Sequence, residues 1–197
     1  MFFEDLVRAL DGGHVRYALV GGVAVNLHGI PRMTYDVDIV VRTDAVTLRA
    51  CKEALSSLGL SCRLPIALET LEDAGERARL ETERNLIAVT FTDPANPLRE
   101  VDVLVAPSID PDGIVERSVA RSAGAFEVRI ASIDDLVRMT SETDLVYYVT
   151  DEMLERFAAS TTLQRLQWLD EMRTFTWNAA TAATRLRWRA ERGRSDP

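Results

Sequence analysis

Hydrophobic positions along the 197-residue chain change period several times, and each change marks an element. Phe3, Leu6, Val7 and Leu10 recur at helical spacing and stop at Gly12-Gly13, which predicts an amphipathic helix over Phe2–Leu10. The apolar run Val15–Val20 predicts a strand, ended by Gly21-Gly22, and Val23–Gly29 reads as one or two helical turns. Ile30-Pro31 then forces an extended approach to Asp36-Val37-Asp38-Ile39-Val40-Val41, a second strand. Asp44–Leu58 carries an N-cap aspartate, apolar Val46, Leu48, Leu55 and Leu58, and Gly59 as its stop. Leu60–Leu64 reads as a short strand. Ala67–Arg84, with sparse Leu68, Leu71, Ala78 and Leu80 among glutamates and arginines, is either an exposed helix pair or a mobile flap.

Leu86–Thr92 and Glu100–Val105 are strands joined by the turn Asp93-Pro94-Ala95-Asn96-Pro97, which predicts a hairpin. Pro111–Ala120 reads as a helix, Phe126–Ile130 as a strand, and Ser132 with Asp134 and Asp135 opens a capped helix. From Thr143 the pattern is helical, over Leu145–Phe157 and Thr161–Arg192, with Trp168, Leu169, Met172 and Phe175 as a packing face. The expectation is an α/β (α+β) fold: a mixed sheet flanked by helices over residues 1–143, with a helical region over 144–197.

Composition narrows the class without naming a function. A chain of this length buries roughly 70% of its unfolded surface, enough to fold without a staple. Cys51 and Cys62 have no metal-ligand spacing and read as packed thiols. A formal charge of −8 argues against broad adhesion to nucleic acid or acidic membranes, although a local basic patch could still bind an acceptor. No secretory leader and no membrane-length apolar run is visible, so the expected location is the cytoplasm and no membrane partner is expected.

The chemistry concentrates between Val20 and Val41. In a strand, Asp36 and Asp38 point to one face while Val37, Ile39 and Val41 point to the other. Two carboxylates on one face repel unless a cation compensates them, and oxygen-only ligands with open positions suit Mg²⁺. Gly21 and Gly22, at a strand-to-helix turn, let a phosphate approach backbone N–H groups. Neither a dinucleotide-binding glycine spacing nor a Gly-Lys-Ser/Thr phosphate loop is present. Arg32 suits a triphosphate contact, against an alternative reading as a structural ion pair to Asp36 or Asp38; Thr34 is a further candidate for the same contact. Glu100 shares a face with Asp102 and reads as exposed. His14 reads as a loop residue and His28 as a capping or packing residue.

Gly21-Gly22, Arg32-Met33-Thr34, Asp36-Val37-Asp38 and, further on, Asp102 in Glu100-Val101-Asp102-Val103 together resemble the polymerase-β-like nucleotidyltransferase superfamily. Within it the stretch is most similar to the AbiEii-type toxin nucleotidyltransferases of bacterial toxin–antitoxin systems. The resemblance covers roughly residues 15–145. It implies a palm-type sheet and two Mg²⁺ ions (Mn²⁺ as an alternative) held by Asp36, Asp38 and Asp102. It also implies an NTP bound by Gly21, Gly22, Arg32 and Thr34, and transfer of its NMP to an acceptor hydroxyl, with Asp102 beside that hydroxyl. Its implied partners are tRNA or another RNA acceptor and an antitoxin protein.

One departure weakens the match. Thr140 stands where such proteins carry a lysine, and Ser141-Glu142-Thr143-Asp144 replaces a basic loop. The arginines Arg185, Arg187, Arg189, Arg192 and Arg194 are one other source of positive charge. Two alternatives therefore stay open: a small-molecule nucleotidyltransferase of the antibiotic-modifying kind, and a degenerate module that binds nucleotide or a partner without turnover.

Overall fold

The strand read at Asp36–Val41 becomes the centre of a seven-stranded mixed sheet. The computed structural model of the chain describes residues 1–63, 68–96, 98–139 and 150–179. Its strands are β1 (Tyr17–Leu19), β2 (Val37–Val41), β3 (Ser61–Cys62), β4 (Ala88–Thr92), β5 (Glu100–Leu104), β6 (Val119–Ala123) and β7 (Phe126–Ile130). They lie in the order β3-β4-β5-β2-β1-β7-β6. β2 runs antiparallel to β1 and parallel to β5, while β4–β5 and β6–β7 are antiparallel pairs. The helices among the described residues are α1 (Phe2–Gly12), α2 (Gly21–Leu27), α3 (Ala45–Ser57), α4 (Ala74–Arg84), α5 (Pro111–Arg117), α6 (Ile133–Met139), α7 (Asp151–Ala158) and α8 (Thr162–Ala179).

Register sorts the central residues onto two faces. Val37 and Ile39 of β2 align with Val101 and Val103 of β5, these with Phe91 and Val89 of β4, and Val41 follows on the same face of β2. All seven are at most 1% exposed and form the core. β-Branched valine and isoleucine suit such a pleated, covered surface. Helix α1 adds Phe3, Leu6, Val7 and Leu10 to the same core and packs on α3. Helix α3 starts as its sequence demands, Asp44 accepting the Thr47 N–H at 2.9 Å.

Several expectations change. The hairpin β4–β5 forms as read, but the predicted helix Pro111–Ala120 stops at Arg117, where Ser118 turns extended and β6 begins. The edge strand Val119-Ala-Arg-Ser-Ala123 has little apolar alternation; it pairs with β7 through a tight turn that holds Gly124 at φ +74°. Ala67–Arg84 resolves into a helical turn at Leu68–Glu72 and helix α4, anchored by buried Leu71 and Leu80. Val46, read as a packing residue of α3, is 79% exposed because it falls on the helix's outer face. On α8 the read packing face is half right: Leu169 is buried, whereas Phe175 is 67% exposed.

Arg173 takes an inner position of α8. Its guanidinium lies over the rings of Phe2 and Phe3 at 5.6 and 5.3 Å from their centroids, and it donates to the Leu98 carbonyl. Thr140, the segment 141–144, the 143/144 boundary and the arginines beyond 180 lie outside the described residues. No helix among the described residues is long and apolar enough to cross a membrane.

Candidate metal centre

Three carboxylates meet on the face of the sheet opposite Val37 and Ile39. Parallel pairing sets Asp38 of β2 directly beside Asp102 of β5. Asp36 stands just before β2, not in it, and joins them from the approaching loop. One ligand oxygen from each of Asp36, Asp38 and Asp102 lies within 4.8 Å of the others, close enough to hold a metal ion. The three residues are half-buried, and Asp102 Oδ1 is shielded from solvent. Two parallel strands bring together Asp38 and Asp102, 64 positions apart in sequence.

The local electrostatics describe a site short of positive charge. Burial, then the Asp36 and Asp102 carboxylates, push the Asp38 carboxyl up to about 7; Arg32 opposes the shift and Glu100 adds to it. A carboxyl held that high at neutral pH takes either a proton or a cation. Oxygen donors without nitrogen or sulfur favour a hard divalent ion over zinc or copper.

Gly21 and Gly22 have a purpose visible only in three dimensions. Gly21 sits at φ +58°, and a Cβ there would stand 2.0 Å from Asp38 Oδ2. A Cβ on Gly22 would stand 2.6 Å from the Thr34 Cβ. The glycines therefore let the start of α2 press against the acidic strand and its approach loop. Val20, the residue before α2, offers no side-chain cap to the helix's first N–H groups. Asn26, fully buried on α2, donates to the Arg32 carbonyl at 3.4 Å and ties the approach loop down.

Arg32 influences Asp38 through its charge, without an ion pair to either aspartate among the described residues. The Thr34 hydroxyl donates to Asp36 Oδ1 at 2.6 Å, so it orients that carboxylate. His28 caps α2, and its Nε2–H donates to the Ala131 carbonyl at 2.8 Å, a packing role as its position suggests.

Glu100 corrects the sequence reading. It is 7% exposed, not solvated, and its Oε2 lies 3.8 Å from Arg63 Nη1. Arg63 was not singled out in the sequence, because its closeness to Glu100 arises only from the pairing of β3, β4 and β5. The one signal available was the i, i+2 spacing of Glu100 and Asp102, which assigns them a common face.

Together these features define a mixed α/β protein with a three-aspartate site on its sheet. Compared with known proteins, the chain matches no family model and no curated protein.

Proposed function

We propose that the protein is a metal-dependent nucleotidyltransferase, moving an NMP from an NTP to an acceptor hydroxyl with release of pyrophosphate. The observation that carries this reading is the convergence of Asp36, Asp38 and Asp102 within 4.8 Å. Bound Mg²⁺ would supply charge neutralisation of the triphosphate and a more acidic acceptor hydroxyl. Asp36, Asp38 and Asp102 would hold the ions, with Thr34 fixing the orientation of Asp36. Asp102, on the β5 side, stands toward the attacking hydroxyl. The uncapped amides at Gly21-Gly22, with Arg32 nearby, lie on the triphosphate side.

The similarity in motifs to AbiEii-type toxins supports an RNA end as the acceptor and an antitoxin as a partner. Purified protein, labelled NTPs, Mg²⁺ and total tRNA should give labelled RNA. Asp38→Ala should abolish the label while the far-ultraviolet circular dichroism stays unchanged. Wild-type protein that binds Mg²⁺ yet labels neither RNA nor any small hydroxyl compound would remove the proposal.

A further inference from the structure

The register of four strands lines up more than the three aspartates. Asp38 pairs with Asp102, Asp102 pairs with Thr90, and the Arg63 N–H donates to the Thr90 carbonyl at 3.0 Å, continuing the β3–β4 register by one step. Directly opposite residues on adjacent strands share a face. Asp38, Asp102, Thr90 and Arg63 thus form one row across the sheet, ending in a cation. The 3.8 Å approach of Arg63 to Glu100, on the same face of β5, confirms where its side chain lies.

Resting on the nucleotidyltransferase reading, we infer that Arg63 is the acceptor-side anion contact, so that the acceptor hydroxyl belongs to a phosphate-bearing molecule. Neighbouring strands are about 4.8 Å apart, so Arg63 starts two strand spacings, roughly 10 Å, beyond Asp102. That is the side away from Gly21, which abuts Asp38. A substrate spanning the aspartates therefore meets a guanidinium at the end away from Gly21. Arg63 is held loosely for such a task. Its side chain keeps 26% of its accessibility, and its distance to Glu100 exceeds that of a hydrogen bond.

A cationic polyol gains nothing from a guanidinium in that place and is repelled by it. A hydroxyl flanked by phosphate gains a charge-assisted contact. Two sources share this chemistry: an RNA end and a free nucleoside monophosphate.

The test uses full-length protein and the variants Arg63→Ala, Arg63→Lys and Arg63→Ala/Glu100→Gln. The double variant also removes the Glu100 charge that faces Arg63. Transfer from NTP is followed to a short single-stranded RNA, a nucleoside monophosphate and a polyamine-bearing sugar. Arg63→Ala should raise KM for the phosphate-bearing acceptor about tenfold or more, the scale of one charge-assisted contact, with KM for NTP unchanged. Arg63→Lys should recover part of the loss. Which of the two phosphate-bearing acceptors shows the effect identifies the source.

A second readout does not need turnover. Fluorescence anisotropy of labelled RNA with Mg²⁺ should show weaker binding for Arg63→Ala. The slope of log K against log salt should become shallower by about 0.7, as expected for one lost phosphate contact on a single strand. Unchanged KM and unchanged salt slope in both alanine variants overturn the role of Arg63 while leaving the transferase reading intact. Absent transfer by wild type overturns that reading, and the anisotropy arm then decides Arg63 separately. Preferential transfer to the cationic sugar overturns the inference outright.

Discussion

The two faces of the sheet share a backbone and little else. On one, Val37, Ile39, Val41, Val101, Val103, Val89 and Phe91 are sealed to at most 1% exposure. On the other, Asp38, Glu100, Asp102, Thr90 and Thr92 are polar or charged, and only Glu100 among them is buried, while Val40, the next residue of β2 on that face, is sealed in apolar packing. The pleat forces this division, because each residue on one face is flanked by residues on the other. The apolar face provides the stability that lets the opposite face hold mutually repelling carboxylates at close range. In isolation the acidic cluster is a cost, which a bound cation would turn into affinity.

The largest stability effect should come from thinning the apolar face. Ile39→Ala removes a fully buried side chain at the centre of the sheet and leaves a cavity. Its expected cost is about 4 kcal/mol, within the usual range for such truncations. The matching change on the polar face, Thr92→Ala, should cost less than about 0.5 kcal/mol. Urea unfolding of both variants measures the contrast. Equal losses would show that the faces are not energetically distinct.

Next in size is a change with the opposite sign. The Asp38 pKa is raised to about 7 in the metal-free fold, so the folded chain binds a proton that the unfolded chain has released above about pH 4. Stability from this group is therefore greatest below pH 4 and falls as pH rises toward 7. Asp38→Asn should not differ from wild type at pH 4 and should be more stable by roughly 2–4 kcal/mol at pH 8, without metal. Adding Mg²⁺ at 100 times its Kd should restore about 2.7 kcal/mol to wild type and little to the variant. Thermal denaturation across pH, with and without Mg²⁺, reads both effects. A variant less stable than wild type at pH 8 without metal would show that Asp38 is not under strain.

These contrasts also explain what the sequence could and could not reveal. Asp38 and Asp102 were legible because each lies in an apolar strand whose period fixes its face, and Asp36 because it directly precedes one. Their convergence needed only one further step, the pairing of β2 with β5. Glu100 was misread because its partner, Arg63, lies two strands away and enters through the β3–β4 register. Strand β6 was invisible for a related reason, since an edge strand with little alternation is defined by its neighbour β7. Arg173 was missed because arginine is rarely buried, and only the rings of Phe2 and Phe3 from the opposite end of the chain make its position tenable. Signals within one element were readable. Those made by two distant elements were not.

Gly21 offers the smallest stability change and the sharpest test of how the two faces are coupled. Alanine there must adopt φ +58°, which costs on the order of 1–2 kcal/mol. Its methyl would also fall 2.0 Å from Asp38 Oδ2, so the carboxylate must rotate away. The backbone cost is independent of metal, whereas the displaced carboxylate matters only when an ion is held. Gly21→Ala should therefore lose modest stability without metal and lose Mg²⁺ affinity by well over tenfold, the penalty expected for a misplaced ligand. Titration calorimetry with Mg²⁺, alongside urea unfolding of the metal-free protein, separates the two. A loss of stability with unchanged Mg²⁺ affinity would assign Gly21 to the turn alone and sever α2 from the acidic cluster.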